Sequence, residues 1–266
     1  IKLIALDNGE IGKKKAISKG VEVSLGNIIL TTDADCIAPK NWIDSVANSF
    51  NNDEIQMSLG SVFITSNSSI ASLLQSTESL MLSLFTKFGV YSKTPMLASG
   101  ANLAFRKSAF SECEGFMGNT EILSGDDMFL LEKIASKYGS GSINYHTVQS
   151  ETNPVSSFLE FLNQRVRWFK KMNRIKKLKT NRFSLFVSGS NILLLVAIGL
   201  NDVTFIYLGI ALLIKYIVEL ILLIQNGRTG WKHILFSPLY FAWNFIYPFV
   251  MGVAIVIIKP KWKGRN

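Results

Sequence analysis

Disulfide chemistry is the first thing this sequence lacks. Its two cysteines, Cys36 and Cys113, fall at no framework spacing, which excludes a disulfide-stapled secreted scaffold and fits a reducing compartment. The opening residues, IKLIALDNGEIGKKKA, are broken by charge before an apolar run develops, so no secretory signal peptide is expected there. No internal repeat or low-complexity tract is evident. Charge is the other scarcity, and it is local: charged residues are frequent up to Arg182 and then almost vanish until Lys259. That gap excludes a uniformly soluble chain. It divides the sequence into a soluble-looking part, residues 1–182, and a membrane-like part, residues 183–258, followed by a basic tail, 259–266.

What is present is a positive balance, +9 over 266 residues, with hydrophobic residues at 48%. Much of that charge lies in one run, Lys170, Lys171, Arg174, Lys176, Lys177, Lys179 and Arg182. The run directly precedes the first long apolar stretch, so it reads as a cytoplasmic juxtamembrane segment and not as a nucleic-acid site. Three apolar blocks follow. Residues 183–200 are marginal in length and carry Ser184, Ser188, Ser190 and Asn191. Residues 203–224 are long enough to cross a ~30 Å hydrocarbon core. Residues 234–258 are longer, with Pro238 and Pro248 as expected kinks. Two or three membrane helices are therefore expected. Three crossings would place the KPKWKGR tail opposite the basic run, whereas both prefer the cytoplasmic side; either one block is interfacial or the rule is broken. Lys215 and Glu219 lie four apart inside the second block, as a structural ion pair or as the polar lining of a sugar or lipid path.

The soluble part alternates strand and helix patterns, which predicts a parallel or mixed α/β domain. NIILTT (27–32) reads as a buried strand ending at Asp33. Residues 39–50 read as a helix, 55–65 as a strand, 69–88 as a long helix bearing Leu73, Leu74, Leu80, Met81 and Leu84. Residues 96–105 return to strand or loop, 126–138 to helix and 142–148 to strand. Pro154 is placed at the opening of a last helix.

Four motifs carry chemistry. Asp33-Ala34-Asp35 follows the first strand, where ligands of open α/β sheets bind; two carboxylates there can hold Mg²⁺ or Mn²⁺ against a diphosphate, or cap the next helix. Ser124-Gly125-Asp126-Asp127 opens the 126–138 helix, where a carboxylate is favoured by the dipole and can also serve as a general base; spacing leaves open which aspartate faces a pocket. Gln164, Arg167 and Trp168 of QRVRW share one helical face, joining an amide, a guanidinium suited to diphosphate and an indole suited to a sugar ring. Ser99-Gly100-Ala101-Asn102 is either a place of close ligand approach or a tight bend.

In order, these pieces resemble glycosyltransferase family 2, in its membrane-integrated branch with cellulose and hyaluronan synthases. GNIILTTDADCIAPKNWI resembles the family's strand, D-x-D and following helix; SGANLAFRKSAF its acceptor-side segment; SGDDMFLLEKI its catalytic-base motif; and QRVRW its Q-x-x-R-W motif. The resemblance implies a partial GT-A (Rossmann-like) sheet domain followed by C-terminal transmembrane helices. It implies that Asp33 and Asp35 meet metal and donor diphosphate, that Asp126, with Asp127 one place on, supplies the base, that Gln164 and Arg167 hold the diphosphate, and that Trp168 lies by the acceptor; Gly100 and Asn102 fall in the acceptor-side segment. Two departures are plain. Gly125 stands where an acidic residue is usual, and the opening βα units that grip the nucleotide, at ~30 residues each, have no counterpart, so a fragment of a longer protein is expected.

The expected function is a metal-dependent, inverting hexosyltransferase of the cell (inner) membrane, multi-pass, with its catalytic domain in the cytoplasm. Its partners would be a nucleotide-sugar donor, a UDP-sugar ahead of a GDP-sugar, and a saccharide or lipid acceptor. The alternatives are a non-catalytic membrane subunit with a degenerate transferase domain, and a transporter or channel.

Overall fold

A computed structural model describes residues 2–7, 11–67, 69–118, 125–172, 189 and 202–259. It shows a mixed α/β domain and C-terminal helices apolar enough to span a membrane, the architecture expected from the sequence. The apolar block 183–200, apart from Gly189, and most of the basic run lie outside the described residues. The described chain forms two compact units. The first holds the residues up to Phe63 and Phe85–Thr152; the second holds Ile64–Leu84 and the described residues from Asn153 onward.

In the first unit, α1 (Lys13–Val23) leads into β1 (Ile28–Thr31), β2 (Cys36–Ile37) and α2 (Trp42–Asn48). Gly60 and Ser61 interrupt the run expected as one strand at 55–65, giving β3 (Met57–Leu59) and β4 (Val62–Ile64). After α3 (Ile70–Tyr91) come β5 (Leu103–Arg106), α4 (Lys107–Glu112), α5 (Asp126–Tyr138), β6 (Ile143–Tyr145) and β7 (Ser150–Thr152). The main sheet has the order β1-β5-β3-β6. β5 runs antiparallel to both β1 and β3, with Thr31 opposite Leu103 and Leu59 opposite Leu103, while β6 runs parallel to β3. β2 pairs antiparallel with β7. Met57, Leu59, Ala104, Phe105, Leu130, Leu131 and Ile134 are buried to within 1% exposure and form the core against which the sheet and α5 close. Val46 and Phe50 cover Ile28 and Leu30 of β1 from the α2 side.

The second unit consists of the first turns of α3, α6 (Phe158–Met172), α7 (Asp202–Gln225) and α8 (Trp231–Ile257). α6 begins four residues after Pro154. Ser157 accepts the Glu160 N–H at 3.2 Å on its Oγ, and Glu160 reaches back to the N–H and hydroxyl of Ser156; this capping, not the proline, sets the start. α3 buries Leu80 together with Ser72, Gln75, Ser76, Ser79 and Ser83, whereas Leu73, Leu74, Met81 and Leu84 are only half-buried. Ser76 Oγ accepts from His233 Nε2 at 2.9 Å, and Leu80 O accepts from Asn226 Nδ2. Small polar side chains on an inner face with apolar ones outward is the pattern of helices packed in an apolar surround. α7 and α8 likewise turn Ile206, Tyr207, Leu235 and Val256 outward, and α8 is continuous through Pro238 and Pro248. Lys215 pairs with Glu219, which also accepts from Asn244 Nδ2 at 3.1 Å, and the Lys215 ammonium lies over the rings of Phe241 and Phe245.

Candidate active site

The first unit assembles four of the expected site residues around one lysine. β1 ends at Thr31, whose hydroxyl donates to Gly100 O at 2.9 Å and ties the strand to the turn before β5. Asp33, two residues on, is half-exposed and accepts from Lys13 Nζ on Oδ1 at 2.6 Å. The same ammonium lies 3.5 Å from Asp126 Oδ2, on a side chain only 8% exposed. Burial alone would lower the Lys13 pKa, but Asp126, then Asp33 and Asp127, outweigh it and hold it above the ordinary lysine value. Gly100 N–H donates to Asp127 Oδ2 at 3.2 Å. A Cβ on Gly100 would stand 3.0 Å from both Asp126 Oδ2 and Lys13 Nζ. Asp33, Gly100, Asp126 and Asp127 thus converge although nearly a hundred residues separate the first from the last.

The two aspartates have different surroundings. Asp127 is bound to backbone, accepting the N–H of Gly100 on one oxygen and of Met128 on the other. Asp126 faces the Lys13 ammonium. Gly125, the departure noted in the motif, has φ +92° at the N-cap of α5. An acidic side chain there would be strained, so the glycine is what the backbone requires. Ser124 lies outside the described residues. Asp35 is exposed and lies two residues beyond Asp33 on the same loop; with Asp33 it raises the Cys36 pKa, an effect second to that of burial.

Ser99 to Asn102 is a tight bend, closed by Asn102 N–H to Ser99 O at 3.0 Å, and Gly100 makes it a close approach as well. Asn102 itself is wholly buried. Its Nδ2 donates to Ser61 O and Val148 O, both at 2.9 Å, and its Oδ1 accepts from Trp42 Nε1 at 2.8 Å and from His146 Nε2 at 2.9 Å. The hydrogen-bonding capacity of its side chain goes to the core, so it holds the bend in place. Because Oδ1 can only accept, His146 carries its proton on Nε2, and Nδ1 accepts from the Ser58 hydroxyl at 3.0 Å. Burial pushes the His146 pKa down to about 4. Gly60 leaves room for this network, since a Cβ there would come within 2.1 Å of His146 Nε2.

In the second unit Gln164, Arg167 and Trp168 are partly exposed on α6, and Arg165 and Val166 are buried. Val166 packs against Met251 and Ala254 of α8. Arg165, a variable position of the motif, binds Glu78 of α3.

A family model described as glycosyl transferase family group 2 matches residues 28–257. The chain belongs to that family. Comparison with curated proteins found no match. Among solved structures the chain is similar to glucosyl-3-phosphoglycerate synthase from Mycobacterium tuberculosis in complex with phosphoglyceric acid, at 14% identity over 62% of this chain and 56% of that one, with a TM-score of 0.39. The same enzyme in complex with Mn²⁺, UDP-glucose and glycerol 3-phosphate gives 14%, the same coverage and 0.37. Mannosyl-3-phosphoglycerate synthase from Rubrobacter xylanophilus gives 14% over 61% of this chain and 50% of that one, with 0.35. The chain spans about half the length of these structures, and so loose a likeness transfers nothing to it.

Two residues of this family 2 chain were not singled out from its sequence. Lys13 sits in a run of three lysines that reads as a solvated face; its position one residue after Gly12, at the start of a helix feeding the D-x-D strand, is the available signal. Lys13 also borders a cleft of about 550 Å³ lined by Lys14, Lys15, Lys107, Phe110 and Phe116. Glu78, inside an apolar-looking helix, gives no sequence signal beyond being an acid where few others occur.

Proposed function

We propose that the protein containing this chain is a membrane-bound inverting glycosyltransferase of the membrane-integrated branch, moving a hexose from a nucleoside diphosphate donor to a saccharide or lipid acceptor on the cytoplasmic face. The observation that carries the reading is the convergence of Asp33, Asp126, Asp127 and Gly100 on the Lys13 ammonium. A UDP-sugar is the first donor to test. Asp126 takes the proton of the acceptor hydroxyl, whose oxygen attacks the anomeric carbon as the bond to the diphosphate breaks. Asp127 holds the Gly100 turn, and Asn102 holds the same turn from the core side. The Lys13 ammonium suits the diphosphate charge, and the family motif assigns diphosphate binding to Gln164 and Arg167 and the acceptor sugar to Trp168.

The donor set suits a hard divalent cation: Asp33 and Asp35 offer carboxylate oxygens from one loop, and Asp33 already bears a cationic group. Mg²⁺ and Mn²⁺ are commonly held by one or two carboxylates, with substrate phosphates and water completing the shell. Bound there, the ion would supply charge to stabilise the departing diphosphate. Membrane attachment is supported by α7 and α8, whose spans Ile206–Gln225 and Trp231–Ile257 are long, apolar and mostly unburied, unlike the core helices of soluble proteins.

The test is release of nucleoside diphosphate from a panel of UDP- and GDP-sugars by the full-length protein in nanodiscs, with Mn²⁺ or Mg²⁺ and then with chelator. Metal-dependent release from one donor establishes the reading and names the sugar. No release, even with membrane lipids as acceptors, overturns it in favour of a non-catalytic subunit.

A further inference from the structure

Arg165 is 3% exposed, yet it is charged on a helix whose neighbouring motif residues are partly open. Its guanidinium is bound along its edges. Nε donates to Glu78 Oε1 at 3.0 Å and Oε2 at 3.2 Å, a second nitrogen donates to Glu78 Oε2, and a third donates to Gln164 Oε1. Two rings lie against it as well: the Phe161 ring centroid is 4.5 Å from the guanidinium carbon, and that of Trp168 is 4.2 Å away. One planar cation therefore contacts two of the motif's three defining residues, the Gln164 amide and the Trp168 indole. Its own orientation is set by a carboxylate from α3. A forked, planar group can hold an edge and a face at once; an ammonium cannot.

We propose that Glu78 is a positioning residue for the acceptor sugar, acting through Arg165 to hold the Trp168 ring and the Gln164 amide in one pose. The proposal rests on the transferase reading for the role of Trp168. Arg165 covers one face of the indole, and the ring keeps partial exposure through which a sugar can meet it. A ring free to rotate would cost acceptor binding, and a displaced Gln164 amide would cost a smaller part of the hold on the donor.

Two readouts on the full-length protein in nanodiscs decide the matter. The first needs no activity: iodide quenching of the Trp168 emission, taken as the difference between the protein and its Trp168→Phe variant. In Glu78→Gln and Arg165→Lys the quenching constant is expected to rise about twofold, because the face that Arg165 covers opens to the quencher; an unchanged constant overturns the proposal. The second is kinetic. The variants are expected to lose about 10- to 100-fold in kcat/KM for the acceptor, as misplaced positioning groups do, and to lose less in metal-dependent donor hydrolysis to water, to which Gln164 but not Trp168 contributes. Equal loss of donor hydrolysis, or an intact acceptor kcat/KM, overturns it. Parent protein without donor hydrolysis refutes the transferase reading alone, and the quenching result still decides the clamp. Removing Glu78 strands a buried cation, so the double variant Glu78→Leu/Arg165→Met, which leaves no unpaired charge, is the companion if the single variants do not fold. It is expected to show the same two changes.

Discussion

Asp126 and Asp127 are adjacent in sequence and opposite in circumstance. One is buried against a half-buried ammonium and the other is tied to two backbone amides. Asp126→Asn in the full-length protein should therefore lower transfer by about 10²–10⁴-fold, the usual contribution of a general base, with little change in melting temperature. Asp127→Asn should lose less, since an amide oxygen still accepts from Gly100. Intact turnover in Asp126→Asn would remove the base assignment. His146 provides a pH test of the core beneath. Its folded pKa of about 4 lies below the ordinary histidine value of 6.5, so the unfolded chain binds the proton more readily. Its contribution, on the order of 3 kcal/mol, is fully present above pH 6.5 and is lost as pH falls from there through about 4. Melting curves between pH 7 and pH 4.5 should show this loss, and His146→Gln should flatten it. The tautomer of His146 was not readable in the sequence, because it depends on a partner 44 residues away.

Elements place these residues, and they do so through a few tight approaches. The bend before β5 brings the Gly100 N–H against Asp127 and leaves no room for a side chain beside Asp126 and Lys13. Gly100→Ala should fold, since the atoms it meets are the ends of movable side chains, but should cut turnover by up to about 100-fold through their displacement. Gly60→Ala meets the fixed His146 ring and Asn102 amide instead, and should destabilise the first unit by about 3 kcal/mol, visible as a lowered melting temperature. The pair separates a glycine required by the site from one required by the core. Strand β1 and helix α5 were legible because an apolar β-branched run and a 3.6-residue period leave local marks. The inward face of α3 was not. Its leucines advertise a conventional apolar stripe, whereas Leu80 shares the buried side with Ser72, Ser76, Ser79 and Ser83, and Ser76 hydrogen-bonds to His233 far along the chain.

At the scale of the whole molecule, composition separates the chain at residue 182, whereas contacts group Ile64–Leu84 and the QRVRW helix with the apolar helices. If α7 and α8 cross a bilayer, the full-length protein should stay with the membrane pellet after alkaline carbonate extraction and leave it only in detergent. Release by carbonate would put both helices at the surface.

The sequence by itself determined the family, the α/β-then-apolar-helix order, the acidic motifs and the QRVRW helix. Each of these is a local pattern of residue type and spacing, and local patterns survive without coordinates. Only the tertiary structure decided that Lys13 is the cation among the aspartates, that Asn102 is spent in the core, that Asp126 and Asp127 part company, and that Arg165 answers to Glu78. Those facts come from side chains 20 to 113 residues apart meeting within hydrogen-bond or ion-pair distance, and a distance between remote residues is set by the packing of whole elements, which no single stretch of sequence records.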